Sequence, residues 1–108
     1  MKRLLMLPLL VLVACATTPP KISASLLTAY DGAVAAETAA LATGKVSSNQ
    51  ATIMRACRVA ANNEVQSVVA AENNGTITTA EQSSAQTSVQ AYLAAAQAVA
   101  NNGTPSGC

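Results

Sequence analysis

Histidine, phenylalanine and tryptophan are all missing from this chain, and only two tyrosines are present. Without histidine there is no imidazole metal site and no Ser–His or Cys–His nucleophile. Without Phe or Trp, any core must be built from aliphatic residues. The 51% hydrophobic content overstates that core, because 24 of the residues are alanine and an alanine side chain removes little area from water. Charge is equally sparse, at 10% of residues. The carboxylates are scattered singly and form no paired acid–base motif. The basic residues make no clustered face of the kind nucleic acid requires. No glycine-rich phosphate loop is present either. These absences argue against an enzyme and against a cofactor, a metal, a small-molecule substrate or a nucleic-acid partner.

What is present begins with Met1-Lys2-Arg3 and an apolar run from Leu4 to Ala14, interrupted only by Pro8. A basic start, a short apolar stretch and a small residue before a cut describe a secretory signal peptide. The run falls short of the roughly 20 apolar residues that span a bilayer. It ends in Leu12-Val13-Ala14-Cys15. That stretch resembles the lipobox of bacterial lipoproteins: a leucine three positions before a cysteine, a small residue just before it, and the cysteine itself. The resemblance covers residues 1–16 only and implies that residues 1–14 are removed, that Cys15 carries a diacylglyceryl thioether and that its new α-amine is acylated, typically with palmitate. Ala16, where inner-membrane lipoproteins tend to carry Asp, implies the periplasmic face of the outer membrane. Two or more acyl chains hold a protein firmly, at about 0.8 kcal/mol per buried CH₂.

Of 108 residues, the 14 before Cys15 leave 94, enough for one domain. Its charges are Lys21, Lys45, Arg55 and Arg58 against Asp31, Glu37, Glu64, Glu72 and Glu81, so the net positive charge of the whole chain belongs to the leader. Residues 15–22 read as a lipidated tether, stiffened by Pro19-Pro20 and short enough to keep the domain close to the membrane.

Three helices follow. The first is expected over Ser23–Thr43, with Leu26/Leu27, Tyr30, Val34, Thr38 and Leu41 as its apolar stripe, Gly32 as a mild fault and Gly44 as its stop. Ser47 and Gln50 form a capping box that opens the second, whose stripe is Ile53/Met54, Cys57, Ala61, Val65 and Val68/Val69 and which ends at Asn73-Asn74-Gly75. Thr78 and Glu81 form another box at the start of the third, with Ala85, Val89, Tyr92/Leu93, Ala96 and Val99/Ala100 inward. Asn101-Asn102-Gly103 reads as the same stop used a second time. Both copies form Asn-Gly-Thr, a glycosylation sequon in form, though deamidation is the more relevant chemistry in a bacterial chain. Short loops make the helices antiparallel neighbours, so the expected fold is all-α: an up-down-up three-helix bundle over 23–101 with a tail over 102–108.

Assigning Cys15 to lipid leaves Cys57 and Cys108, an even number in an exported chain, where a disulfide is favoured. Cys57 lies about 15 Å down the second helix, and the seven-residue tail reaches about that far. Two free thiols, or pairing between chains through Cys108, are the alternatives. Arg55 and Arg58 flank Cys57, but a disulfide leaves no reactive thiol there. Those two arginines read as a grip on an anionic partner such as peptidoglycan or lipid phosphate, as a solvated helix face, or as cross-helix partners of Glu37. Ala35, Ala36, Ala39 and Ala40, with Ala91, Ala94, Ala95 and Ala98, read as close helix packing or as a face for self-association or a protein partner. The function expected is a small, lipid-anchored, non-enzymatic envelope protein serving as a structural or protein-binding module. The alternative is a phage- or plasmid-type exclusion or immunity lipoprotein that blocks a receptor or channel.

Overall fold

The computed structural model describes residues 19–105 and 107–108. The expected leader and Cys15 lie outside the described residues. Three helices make up the described chain: α1 (Ser23–Ala42), α2 (Ser48–Asn74) and α3 (Thr79–Ala100). All three pack on one another, and α3 contacts α1 and α2 more extensively than those two contact each other. The fold is an all-α bundle. No helix among the described residues is long and apolar enough to cross a membrane.

Local chemistry sets most of the helix ends. The Ser47 hydroxyl accepts from the Gln50 backbone N–H at 3.1 Å, and the Gln50 side chain accepts from the Ser47 N–H at 2.8 Å. Thr78 and Glu81 repeat the exchange at 3.1 and 3.0 Å. Each box satisfies two of the backbone donors that a helix start leaves free. The two Asn-Gly stops differ from each other. After α2, Gly75 takes the left-handed conformation at φ 72°. After α3 it is Asn102 that does so, at φ 64°, and asparagine is the residue besides glycine that tolerates this region. Gly103 serves another purpose: its N–H donates to the Ala98 carbonyl at 2.7 Å, and a Cβ there would sit 3.1 Å from the same oxygen.

The core is made of small and medium residues. One cluster runs through Leu26, Ala33, Ala61, Val65, Val89 and Tyr92, and a second at the far end joins Ala40, Met54, Ala96 and Val99. The expected inward faces of α2 and α3 are the ones buried: Met54, Cys57, Ala61, Val65 and Val68, then Ala85, Val89, Tyr92, Ala96 and Val99. On α1 the expected stripe is buried only in part: Leu26 lies inside and Tyr30 and Val34 pack against the core. Leu27, Thr38 and Leu41 are exposed and Tyr30 and Val34 are half-buried, while Ala33, Glu37 and Ala40 join Leu26 inside. The helix is rotated from the face its large side chains favour. Alanines let α3 approach closely, and the one charge on that face finds partners.

Gly32 is exposed within α1 and has no neighbour within 4 Å of where a Cβ would stand. Gly32→Ala is therefore expected to stabilise the bundle by about 0.5–1 kcal/mol through helix propensity. A urea midpoint that fails to rise would show that the α1 backbone at Gly32 departs from ordinary helix.

Candidate functional site

Cys57 is fully buried on α2, and the tail brings Cys108 back to it: the two are joined by a disulfide with Cα atoms 5.1 Å apart. The tail is also held without covalent bonds. The Gln50 side-chain amide donates to the Gly103 carbonyl at 2.8 Å, and Pro105 is buried. Cys108 itself is exposed.

Of the two flanking arginines, Arg55 is exposed and Arg58 turns to Glu37. Arg58 Nη1 donates to both Glu37 carboxylate oxygens, at 2.9 and 3.0 Å. The Tyr92 hydroxyl donates to Oε1 of the same carboxylate, and the Tyr92 ring packs at 5.8 Å from that of Tyr30. One carboxylate thus joins all three helices. Glu37 is 4% exposed, and the Arg58 side chain, at 38%, keeps one side in water. The hydrogen bond to Glu37 raises the Arg58 guanidinium above its usual value, against the opposing effect of burial. Burial first, then the bond to Glu37, pushes the Tyr92 phenol well above the ordinary tyrosine range. The hydroxyl stays protonated and donating, and the cluster presents no free nucleophile or base. The sequence offered Arg55 and Arg58 alike as partners for Glu37, and only Arg58 takes that place; Tyr92 as a third member was not anticipated, because a tyrosine on an apolar stripe reads as core.

A second buried carboxylate sits at the opposite end from the tail. Ile22, which precedes α1, offers no side-chain cap of its own. Glu72, in the last turn of α2, fills that role: its carboxylate accepts from the Ile22 N–H at 2.8 Å and the Ser23 N–H at 3.2 Å. The Gln82 side-chain amide, from α3, donates to Glu72 at 3.1 Å and to the Pro20 carbonyl at 2.7 Å. Burial alone would raise the Glu72 value, but the hydrogen bonds from Ile22, Ser23 and Gln82 together outweigh it and leave the carboxyl below its usual 4.5. This cap was not anticipated. The one signal for it was an acid in the last turn of α2, where the helix dipole disfavours it; it belongs electrostatically to the first turn of α1.

A pH dependence follows from the sign of that shift. A lowered folded value contributes stability that is present above the usual carboxylate range and lost as pH falls through the depressed value. The urea midpoint of the wild-type bundle is therefore expected to fall below about pH 4.5 more steeply than that of Glu72→Gln. At pH 7 the variant is expected to be about 1–2 kcal/mol less stable, as for the loss of a charge-assisted hydrogen bond. Parallel acid curves for the two proteins would rule the cap out as an electrostatic element.

Shallow clefts mark the surface of the described residues. One, about 200 Å³, lies between α1 and α3 beside Ser25, Ala29, Gln86 and Gln90. A second, about 310 Å³, runs between α3 and the tail along Ala91, Ala94, Ala98 and Pro105. A third, about 370 Å³, lies between α2 and α3 near Glu64, Ser67, Glu81 and Ser84. The alanine-rich surface of α3 is thus partly covered by the chain's own tail, whereas Ala35 and Ala39 on α1 are exposed. No group of three or more metal-ligating side chains occurs among the described residues. Compared with protein-family models, curated proteins and solved structures, the chain matches none.

Proposed function

We propose that the chain is a small bacterial envelope lipoprotein, tethered by lipid on Cys15 at the periplasmic face of the outer membrane and acting without catalysis as a structural or protein-binding module. The observation that carries this reading is the stretch Leu12-Val13-Ala14-Cys15 after a basic start and a short apolar run. The polar groups buried in the bundle support the non-catalytic part. Glu37, Glu72 and Gln82 each spend their hydrogen bonds on joining helices.

The Glu72 cap bears on how such a module would sit. With Pro20 fastened to Gln82, only Ala16, Thr17 and Thr18 separate Cys15 from the first described residue, Pro19. That length spans at most about 14 Å. The end of the bundle carrying Ile22, Glu72 and Gln82 would then face the bilayer closely, with the start of the tail about 30 Å further out at the other end of α3 and the disulfide at Cys57 about 22 Å out, 15 residues along α2 from Glu72.

The test is metabolic labelling with palmitate followed by membrane fractionation. Cys15→Ser is expected to abolish the label and release the protein from the membrane. Unchanged labelling and fractionation would remove the anchor from the reading.

A further inference from the structure

α1 carries a second apolar row that the other described residues cover only in part. Leu27, Val34 and Leu41 recur every seven residues; Leu27 is 39% and Leu41 46% exposed, while Val34 between them is half-buried and packs against the core. A seven-residue repeat holds one side of a helix in line with a partner helix. Ser25 and Ala29, on the other flank of α1, border α3, so the row borders the seam with α2, the less closely packed pair of the bundle. Thr38, within the same row, donates its hydroxyl to the Val34 carbonyl at 3.0 Å and adds no free donor to the seam.

The α2 wall of the seam supplies a charge. Arg58 reaches Glu37 across it, which sets the register of the antiparallel pair. Four residues on from Glu37 and three back from Arg58, Leu41 and Arg55 stand within about one residue rise of each other. Arg55 lies one turn from Arg58 on the same flank of α2, is exposed, and meets no carboxylate among the described residues. The seam is therefore apolar on one wall and cationic at its far end.

We infer that the α1–α2 seam docks an amphipathic helix of a partner protein, with apolar residues repeating every seven positions over Leu27, Val34 and Leu41 and a carboxylate meeting Arg55. A helix seated there would convert the bundle from three helices to four. The inference deepens the protein-binding reading above and rests on it for the existence of a partner. A second copy of this chain suits the seam poorly. Side by side on one membrane, its α1 would bring Ala40, Leu41 and Ala42 level with Arg55, while its exposed acid, Asp31, stands ten residues away, about 15 Å along the helix.

The test uses the purified full chain and a fluorescent synthetic helix about three heptads long, with Leu at every seventh position and Glu beside the last of them. A twin peptide carries Lys in place of that Glu. Saturable binding measured by anisotropy is expected, tighter for the Glu peptide, and weakened by about tenfold or more, roughly 1.4 kcal/mol, in Leu27→Glu/Leu41→Glu. Arg55→Glu is expected to reverse the preference toward the Lys peptide. Both sets of substitutions fall at exposed positions, and circular dichroism checks that helicity is retained. Absent binding, binding indifferent to the leucine changes, or no preference between the peptides would overturn the inference. So would a concentration-dependent dimer abolished by Leu41→Glu, which would assign the seam to a second copy. Because a peptide in solution does not read the anchor, failure here leaves the palmitate result for Cys15 standing by itself.

Discussion

Reduction of the Cys57–Cys108 disulfide is expected to lower the stability of the bundle by about 4 kcal/mol. The bond closes a loop of 51 residues, and in the chain-entropy account a loop of that length restricts the unfolded ensemble by about this amount. For a domain of this size the loss corresponds to a fall in melting temperature of about 15–30 °C. The effect is large because little else compensates. The biggest fully buried side chains are one tyrosine, one methionine and two valines besides Cys57 itself, and domains this small lean on such crosslinks. Thermal unfolding of the oxidised and reduced protein measures the difference directly. Cys108→Ala should reproduce the reduced protein, since it leaves the Cys57 thiol packed as a small hydrophobe. Cys57→Ala should cost somewhat more, because it also removes a buried sulfur. If the oxidised and reduced forms melt together, the tail is held by Pro105 and Gln50 and the crosslink is thermodynamically idle.

Glu37→Ala is expected to cost about 3 kcal/mol, at the low end of the range for breaking a buried ion pair, because the half-exposed Arg58 side chain can turn to water. Most of the cost falls on the Tyr92 hydroxyl, which loses its acceptor in a fully buried site. Tyr92→Phe removes the donor and is expected to cost about 2 kcal/mol. The informative protein is the double variant Glu37→Met/Tyr92→Phe. With neither a buried charge nor an unpaired hydroxyl, it should recover much of the loss and cost far less than the sum of Glu37→Met and Tyr92→Phe measured singly. Additive losses in urea titrations would show that the two side chains do not act as a unit. Alkaline pH offers a second readout. A folded phenol value raised above the unfolded one contributes stability that is complete below about pH 10 and lost as pH rises through the folded value. The wild-type curve should therefore fall above pH 10 more steeply than that of Tyr92→Phe.

The α1 face shows where reading the residues in order stops short. Helical spacing selects Leu26/Leu27, Tyr30, Val34, Thr38 and Leu41. The bundle buries Leu26 and packs Tyr30 and Val34 against the core, but it leaves Leu27, Thr38 and Leu41 exposed and buries Ala33, Glu37 and Ala40. Nothing within α1 distinguishes the two faces; the choice is made by Arg58 on α2 and Tyr92 on α3, which neutralise and bond Glu37. Likewise, Asn101-Asn102-Gly103 looks locally like Asn73-Asn74-Gly75, yet the left-handed residue is Asn102. Gly103 is committed to a close approach to Ala98 as the chain turns back into the disulfide-bonded tail.

By itself, the sequence determined what depends on neighbours in the chain. The starts of α2 and α3 follow from Ser47 with Gln50 and Thr78 with Glu81, because a side chain three residues away already satisfies the free donors of a first turn. The inward faces of α2 and α3 follow from a regular spacing of valines and alanines. Only the tertiary structure decided what needs a partner from elsewhere. α1 begins where Glu72, 49 residues beyond Ser23, accepts its first backbone N–H groups, and its orientation is set by a carboxylate whose desolvation is repaid across two other helices. An uncapped helix start and a buried charge are both unfavourable in isolation, so neither is specified until the groups that satisfy them are brought together by folding.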